Sequence, residues 1–252
     1  VFFIDESQRV HINDIGSKEE IRKHANKMDA ETEELALESQ FRCNGSKGYV
    51  AWVDDVLQIR QTANADGFDL DFDLRVFDSP QELHEEIARK NEQTRLSRVV
   101  AGYCWEWEKE ARSDPDGTDI EINGYKRSWN LDTSDPWAIA EGSIDEVGCI
   151  HTCQGLEFDY VGVIIGKDLK YRDGGIIVDH EERATTDRSL FGIKKMFDEN
   201  PKRAAKKAEE LIKNTYRTLM TRGMKGCYLY CCDDALQEYM KTRVENIDIR
   251  SE

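Results

Sequence analysis

Apolar residues along the chain recur with two periods. From Ser46 to Thr62, Tyr49, Val50, Trp52, Val53, Val56 and Leu57 fall on one helical face, which makes Trp52 a core residue. From 201 to 221, Ala204, Ala205, Ala208, Leu211, Ile212, Thr215, Tyr216 and Leu219 predict the longest helix, with Pro201 at its start, where the missing donor costs nothing. Residues 18–29 read as a helix with Ser17 as N-cap and Glu20 at the capping-box position. Ser79-Pro80 opens another through about Asn91, and Asp233 to about Val244 reads as a closing helix before a frayed end, Asn246–Glu252.

The shorter apolar runs read as strands: Val1–Ile4, Glu34–Leu37, Leu74–Phe77, Arg98–Tyr103, Val147–Ile150, Tyr160–Ile165 and Cys227–Cys231. Asn123-Gly124 between two alternating runs predicts a hairpin, with Trp129 and Trp137 anchoring its return to the core. A second hairpin over 169–180 should turn at Asp173-Gly174-Gly175. Asp66–Asp73 is acidic and reads as a loop.

At 252 residues the chain makes one large domain or two modest ones; 39% hydrophobic and 34% charged residues suit a soluble globular protein. No apolar run approaches the roughly 20 residues a bilayer requires, and no basic-then-apolar leader is present, so a cytoplasmic location is expected. The seven cysteines lie mostly inside apolar runs. Cys149-x3-Cys153 and Cys227-x3-Cys231-Cys232 lack a finger-like partner cluster, so all seven read as reduced core thiols. The formal net charge of −16 repels a phosphate backbone at long range, so any nucleic-acid site must be a local basic patch. Lys202, Arg203, Lys206 and Lys207 form the densest basic cluster, by default a solvated helix face and alternatively a phosphate contact. Trp105 and Trp107 could stack on bases or close the core, and one of the pair is assigned to the core.

Four stretches carry candidate chemistry. Val1–Ile4 runs into Asp5-Glu6-Ser7-Gln8, paired acids at a strand end, where ligands of α/β folds collect; the plain alternative is a solvated acidic turn. Gln40-Phe41-Arg42 presents an arginine that could equally be a surface residue. Ile150-His151-Thr152-Cys153-Gln154-Gly155-Leu156-Glu157-Phe158 sets polar side chains between two apolar runs. Leu219-Met220-Thr221-Arg222-Gly223 joins the long helix to a strand.

In order and type these stretches resemble Walker B in its Asp-Glu-x-Gln form, and motifs IV, V and VI, of superfamily-1 helicases. The longer phrases around them look like the uncharacterised bacterial DNA/RNA-helicase family related to the Schlafen motor domain, over nearly the whole chain. Glycine at 223 replaces the usual alanine, motif III is not recognisable, and no Gly-x4-Gly-Lys-Ser/Thr P-loop occurs. The resemblance implies an α/β, RecA-like fold: a mostly parallel sheet flanked by helices, with small hairpin insertions. Residues 1–39 would be a remnant of a first RecA-like domain, including the Walker B strand, and 40–252 the second, with a hairpin insertion around 115–140. It implies an ATP-dependent helicase or translocase acting on single-stranded DNA or RNA, this portion being inactive without the P-loop domain. Asp5 would hold Mg²⁺ through water, Glu6 polarise the attacking water and Gln8 sense the γ-phosphate. Arg42 and Arg222 would be arginine fingers, Arg217 a second basic group, Glu157 the ribose ligand, and Gly155 the point of close backbone approach. His151 and Thr152 would face the nucleic acid. A non-enzymatic RecA-like binding module is the alternative, and a metal-dependent nuclease using Asp5, Glu6 and Glu157 a weaker third.

Overall fold

The computed structural model describes residues 2–248 except 3, 13, 15–16, 36–42, 44–46, 63–71, 95, 115, 132–135 and 141. The chain opens with a 3-10 turn, Glu6–Gln8, and α1 (Lys18–Lys27), whose capping box joins Ser17 and Glu20 as the sequence predicts. Next come α2 (Lys47–Val56), β1 (Asp73–Val76), α3 (Pro80–Thr94) and β2 (Ser97–Ala101). The hairpin β3 (Ile120–Ile122) and β4 (Tyr125–Arg127) turns at Asn123 and Gly124, both at positive φ. Then follow β5 (Val147–Gly148), α4 (Ile150–Cys153) and β6 (Phe158–Ile165). A second hairpin, β7 (Leu169–Arg172) and β8 (Gly175–Val178), turns at Asp173 and Gly174. The chain finishes with α5 (Ile193–Glu199), α6 (Pro201–Met220), β9 (Gly223–Cys231) and α7 (Asp234–Asp248).

Five strands form one parallel sheet in the order β1-β9-β6-β2-β5. Strand alternation divides the core between its faces. Val161, Val163, Ile165, Cys227 and Leu229 pack with α2, α6 and α7. Val99, Ala101, Ile164, Tyr228 and Tyr230 pack with α3 and the β3–β4 hairpin, together with Trp107 and Trp129. Both faces being covered explains why β2 is buried at every position, Ser97 and Arg98 included. Each fully buried Leu, Ile or Phe side chain here contributes roughly 1.5–3 kcal/mol of transfer free energy. No helix among the described residues is long and apolar enough to cross a membrane.

Several expected elements are corrected. Of the expected Val1–Ile4 strand, Val1 and Phe3 lie outside the described residues, and Phe2 and Ile4 are irregular, with no strand pairing to them among the described residues, as is Asp5 after them. Glu31–Leu35 is also irregular, and the remainder of the expected Glu34–Leu37 strand lies outside the described residues, as do Arg42 and most of the acidic Asp66–Asp73 segment. Strand β5 stops at Gly148, and Ile150 already belongs to α4. Strand β9 begins at Gly223, well before Cys227, and α7 continues to Asp248. The early part of the chain packs on the body: Val10 joins the core, and Ile12 N donates to Ser189 O at 2.7 Å.

Candidate functional site at the two edges of the sheet

The last half of α6 is buried all round, Leu211–Met220, although it contains Lys213, Asn214, Thr215, Tyr216, Arg217 and Thr218. Polar groups so placed must bond inward, and those bonds build the site. Arg222, 2% exposed, sits between α6 and β9 at the amino edge of the sheet. Its Nε donates to Thr218 O at 3.2 Å, Nη1 to Leu156 O at 3.0 Å and Nη2 to Gln8 Oε1 at 3.5 Å. Gln8 Nε2 donates in turn to Asp5 Oδ2 at 2.6 Å, and Gln154 Nε2 reaches Gln8 O at 3.4 Å. Phe158 N donates to Arg222 O at 2.8 Å, which starts β6 against β9. Asn214 Nδ2 clasps the carbonyls of Glu6 and Arg9, at 3.4 and 3.1 Å.

Three of the four stretches singled out from the sequence therefore meet here. Arg42 lies outside the described residues, but the next residue, Cys43, is buried with its thiol 3.7 Å from the carbonyl of Thr221. Glu6 accepts the backbone N–H of Lys18 at 3.2 Å, so one of its oxygens serves the start of α1. Gly155 takes φ +89°, and a Cβ there would meet no atom within 4 Å. Glu157 is exposed. Arg217 pairs with buried Asp54 of α2, which also holds Arg60.

The opposite, carboxyl edge carries His151 and Thr152. Thr152 Oγ1 donates to Asn130 Oδ1 at 2.9 Å, and Cys149 N reaches the same oxygen at 3.2 Å, tying α4 to the end of β5. The His151 side chain is 40% exposed, with Nε2 3.8 Å from Asp187 Oδ1. Behind it lies a buried charged cluster. Arg183 donates to Asp187 Oδ2 at 2.8 Å, to Asp168 Oδ2 at 3.1 Å and to Ser189 Oγ at 3.0 Å, while the Tyr216 hydroxyl donates to the other oxygen of Asp168. Burial alone would raise the Asp187 carboxyl; the Arg183 charge and the bonds from His151 and Ser189 outweigh it and hold the group well below the ordinary carboxylate range. Burial, and then the Asp168 charge, push the Tyr216 phenol well up.

Strands β5 and β6 are parallel, with β2 between them. The link from Cys149 to Glu157 therefore leaves the carboxyl edge and returns to the amino edge. Among the described residues no group of three or more His, Cys, Asp or Glu side chains could hold a metal ion, and burial pushes the Cys153 and Cys231 thiols well up.

Residues 1–233 match the family described as Schlafen group 3, DNA/RNA helicase domain. The chain belongs to that family. A relative in Saccharomyces cerevisiae, Uncharacterized protein YPL245W, is 27% identical over 220 residues, covering 80% of this chain. The alignment covers 46% of that protein, so the chain spans about half the length of the curated relative it matches.

Sequence reasoning about this Schlafen helicase domain missed Asn214, Asp54, Asn130 and the Asp168–Arg183–Asp187 cluster. The available signal was polar residues at core-facing helical positions: Asp54 within the Tyr49–Leu57 face, and Asn214 beside Ile212 and Tyr216.

Proposed function

We propose that this chain is the second, RecA-like lobe of a nucleic-acid-dependent ATPase motor, completed by a P-loop lobe outside this sequence. The observation that supports it most is the bonded series Asp5–Gln8–Arg222–Leu156, which gathers an Asp-Glu-x-Gln turn, the Gly-Leu-Glu loop and a Thr-Arg pair at one edge of a parallel sheet. Phosphoryl transfer needs charge compensation around the terminal phosphate more than covalent chemistry, and this edge offers carboxylates, an amide and a guanidinium within bonding reach. The open side of Gly155 and the long 3.5 Å contact between Gln8 and Arg222 suit a phosphate-bearing ligand. Bound ATP and Mg²⁺ would supply the phosphoanhydride and the metal charge. In this reading Asp5 holds the metal through water, Glu6 polarises the attacking water and Gln8 senses the γ-phosphate. Arg222 and Arg42 compensate its charge, and Glu157 orients the ribose. Arg217, committed to Asp54, serves the nucleotide through the placement of α6. His151 and Thr152 face a single strand at the other edge.

A non-enzymatic RecA-like binding module draws support from Glu6 capping α1. Phosphate release by the intact protein, with and without single-stranded DNA or RNA, separates the two, since a binding module shows no stimulated turnover. Arg222→Ala should lower turnover by about 10³-fold or more with nucleotide binding largely kept. Arg222→Lys, which retains the charge but loses the planar fork, checks that the loss is not unfolding. An unchanged rate in both variants removes Arg222 from the chemistry.

A further inference from the structure

The first turns of α6 hold the densest basic run in a chain of formal net charge −16. Arg203, Lys206 and Lys207 line a pocket of about 540 Å³ together with Arg9 and Ile12. Three acids share its wall, and all of them already serve the fold. Asp14 Oδ2 accepts Val10 N and His11 N, each at 3.0 Å, and Glu20 accepts Ser17 N at 3.1 Å. Glu210 pairs with Lys207 at 3.1 Å and with Arg9 at 3.9 Å. Arg203 and Lys206 are exposed and have no ion pair among the described residues. Arg9 Nε is buried without a hydrogen-bond partner. An anionic oxygen in the pocket would satisfy that donor.

The pocket lies on the same edge as His151. Helix α6 runs down to the amino end of β9, so its first turns stand toward the carboxyl edge. Ile12, in the pocket wall, donates to Ser189 O; Ser189 Oγ donates to Asp187 at 2.6 Å, and Asp187 faces His151 at 3.8 Å. Arg203 and Lys206 are three apart on one helix face, roughly 5–6 Å between Cβ atoms, close enough to hold neighbouring phosphates.

We infer that Arg203 and Lys206, with Arg9 beneath them, contact the phosphodiester backbone of a single-stranded polynucleotide and extend the surface of His151 and Thr152 along α6. This rests on the reading of the domain as part of a nucleic-acid motor. The test is anisotropy titration of a fluorescent single-stranded 20-mer at 50–200 mM KCl. Each single-strand phosphate contact contributes about 0.7 to the slope of log affinity against log salt. Arg203→Ala with Lys206→Ala should therefore lower the slope by about 1.4, so that wild-type affinity falls about 7-fold more than the variant's across that range. Lys202→Ala, one charge outside the pocket, should leave the slope within about 0.3 of wild type. Both substituted residues are exposed, so the fold is retained, as circular dichroism would show.

An unchanged slope in the double variant, with wild type binding normally, overturns the inference while leaving the motor reading intact. Absence of wild-type binding overturns both. Displacement of the 20-mer by inorganic phosphate, at ionic strength matched with chloride and abolished in the double variant, overturns the polynucleotide assignment in favour of free phosphate.

Discussion

Replacing Asp54 with alanine removes an acceptor of the buried Arg217 guanidinium. Asp54 is 1% exposed; it takes Arg217 Nε on one oxygen and Arg60 on the other, at 2.8 Å from Nε and 2.6 Å from Nη2. Arg60 is 65% exposed at its side chain, and a pair reaching that far into solvent is worth about 0–1 kcal/mol. Arg217 is 8% exposed, and removing one partner of a buried pair costs about 3–5 kcal/mol. In a domain of this size each kcal/mol lowers Tm by about 2–4 °C, so Asp54→Ala should lower it by about 6–20 °C. Arg217→Met added to that variant replaces the buried charge with apolar volume and should recover most of the loss. Urea and thermal unfolding followed by circular dichroism measure both. A cost below about 1 kcal/mol for Asp54→Ala, or no recovery in the double variant, refutes the view that Arg217 is held for the fold.

Gly102→Ala places a Cβ 2.0 Å from the Tyr216 hydroxyl, which must then leave Asp168 and the N–H of Gly166. A loss of about 3 kcal/mol is expected, and an unchanged urea midpoint would show that Tyr216 does not pack against the end of β2. Asp187→Asn tests the charged cluster by pH. The folded-state carboxyl is held below its unfolded value of about 3.9, so its contribution is fully present above that pH and disappears as pH falls toward the folded value. The stability gap between wild type and variant should be constant from pH 8 to about 5 and narrow below about 4; a gap that widens on acidification contradicts the assignment.

Elements with strong local signals were legible in the sequence. The Ser17–Glu20 box, the turns at Asn123-Gly124 and Asp173-Gly174, and the long α6 are all observed where expected. The start of β9 was not, because Gly223 and Gly226 resemble breakers. A Cβ at Gly226 would come 2.6 Å from Asp73 O, so the glycine lets β1 approach, a requirement visible only once the strands are paired. The apolar run at the start of the chain misled in the opposite direction, since hydrophobicity alone does not supply a neighbouring strand. In the site, the position of Arg222 was legible, but its partners were not: Leu156 contributes a backbone carbonyl, which any residue would offer. Arg217 was read as a second basic group beside Arg222, and its bond to Asp54, 163 positions away, had no signal in the sequence.

The link between β5 and β6 gives the two edges a common mechanical element. It must cross β2, and it does so on the α6 face, where Ile150, Cys153 and Phe158 join the core with Leu211, Ile212 and Tyr216. At its first end Asn130 holds Cys149 and Thr152, with Asp187 facing His151. At its far end Arg222 holds Leu156 O, and Leu156 N closes onto Cys153 O at 3.1 Å. A packed interior moves between discrete arrangements rather than stretching, so releasing Leu156 from Arg222 would shift the short helix as a unit and turn His151 against a cluster fixed by Arg183. Tyr216 bonds that same cluster from α6, and Arg222 follows just past the end of that helix at Met220, so both ends of the link are tied to α6 and the turn that closes it.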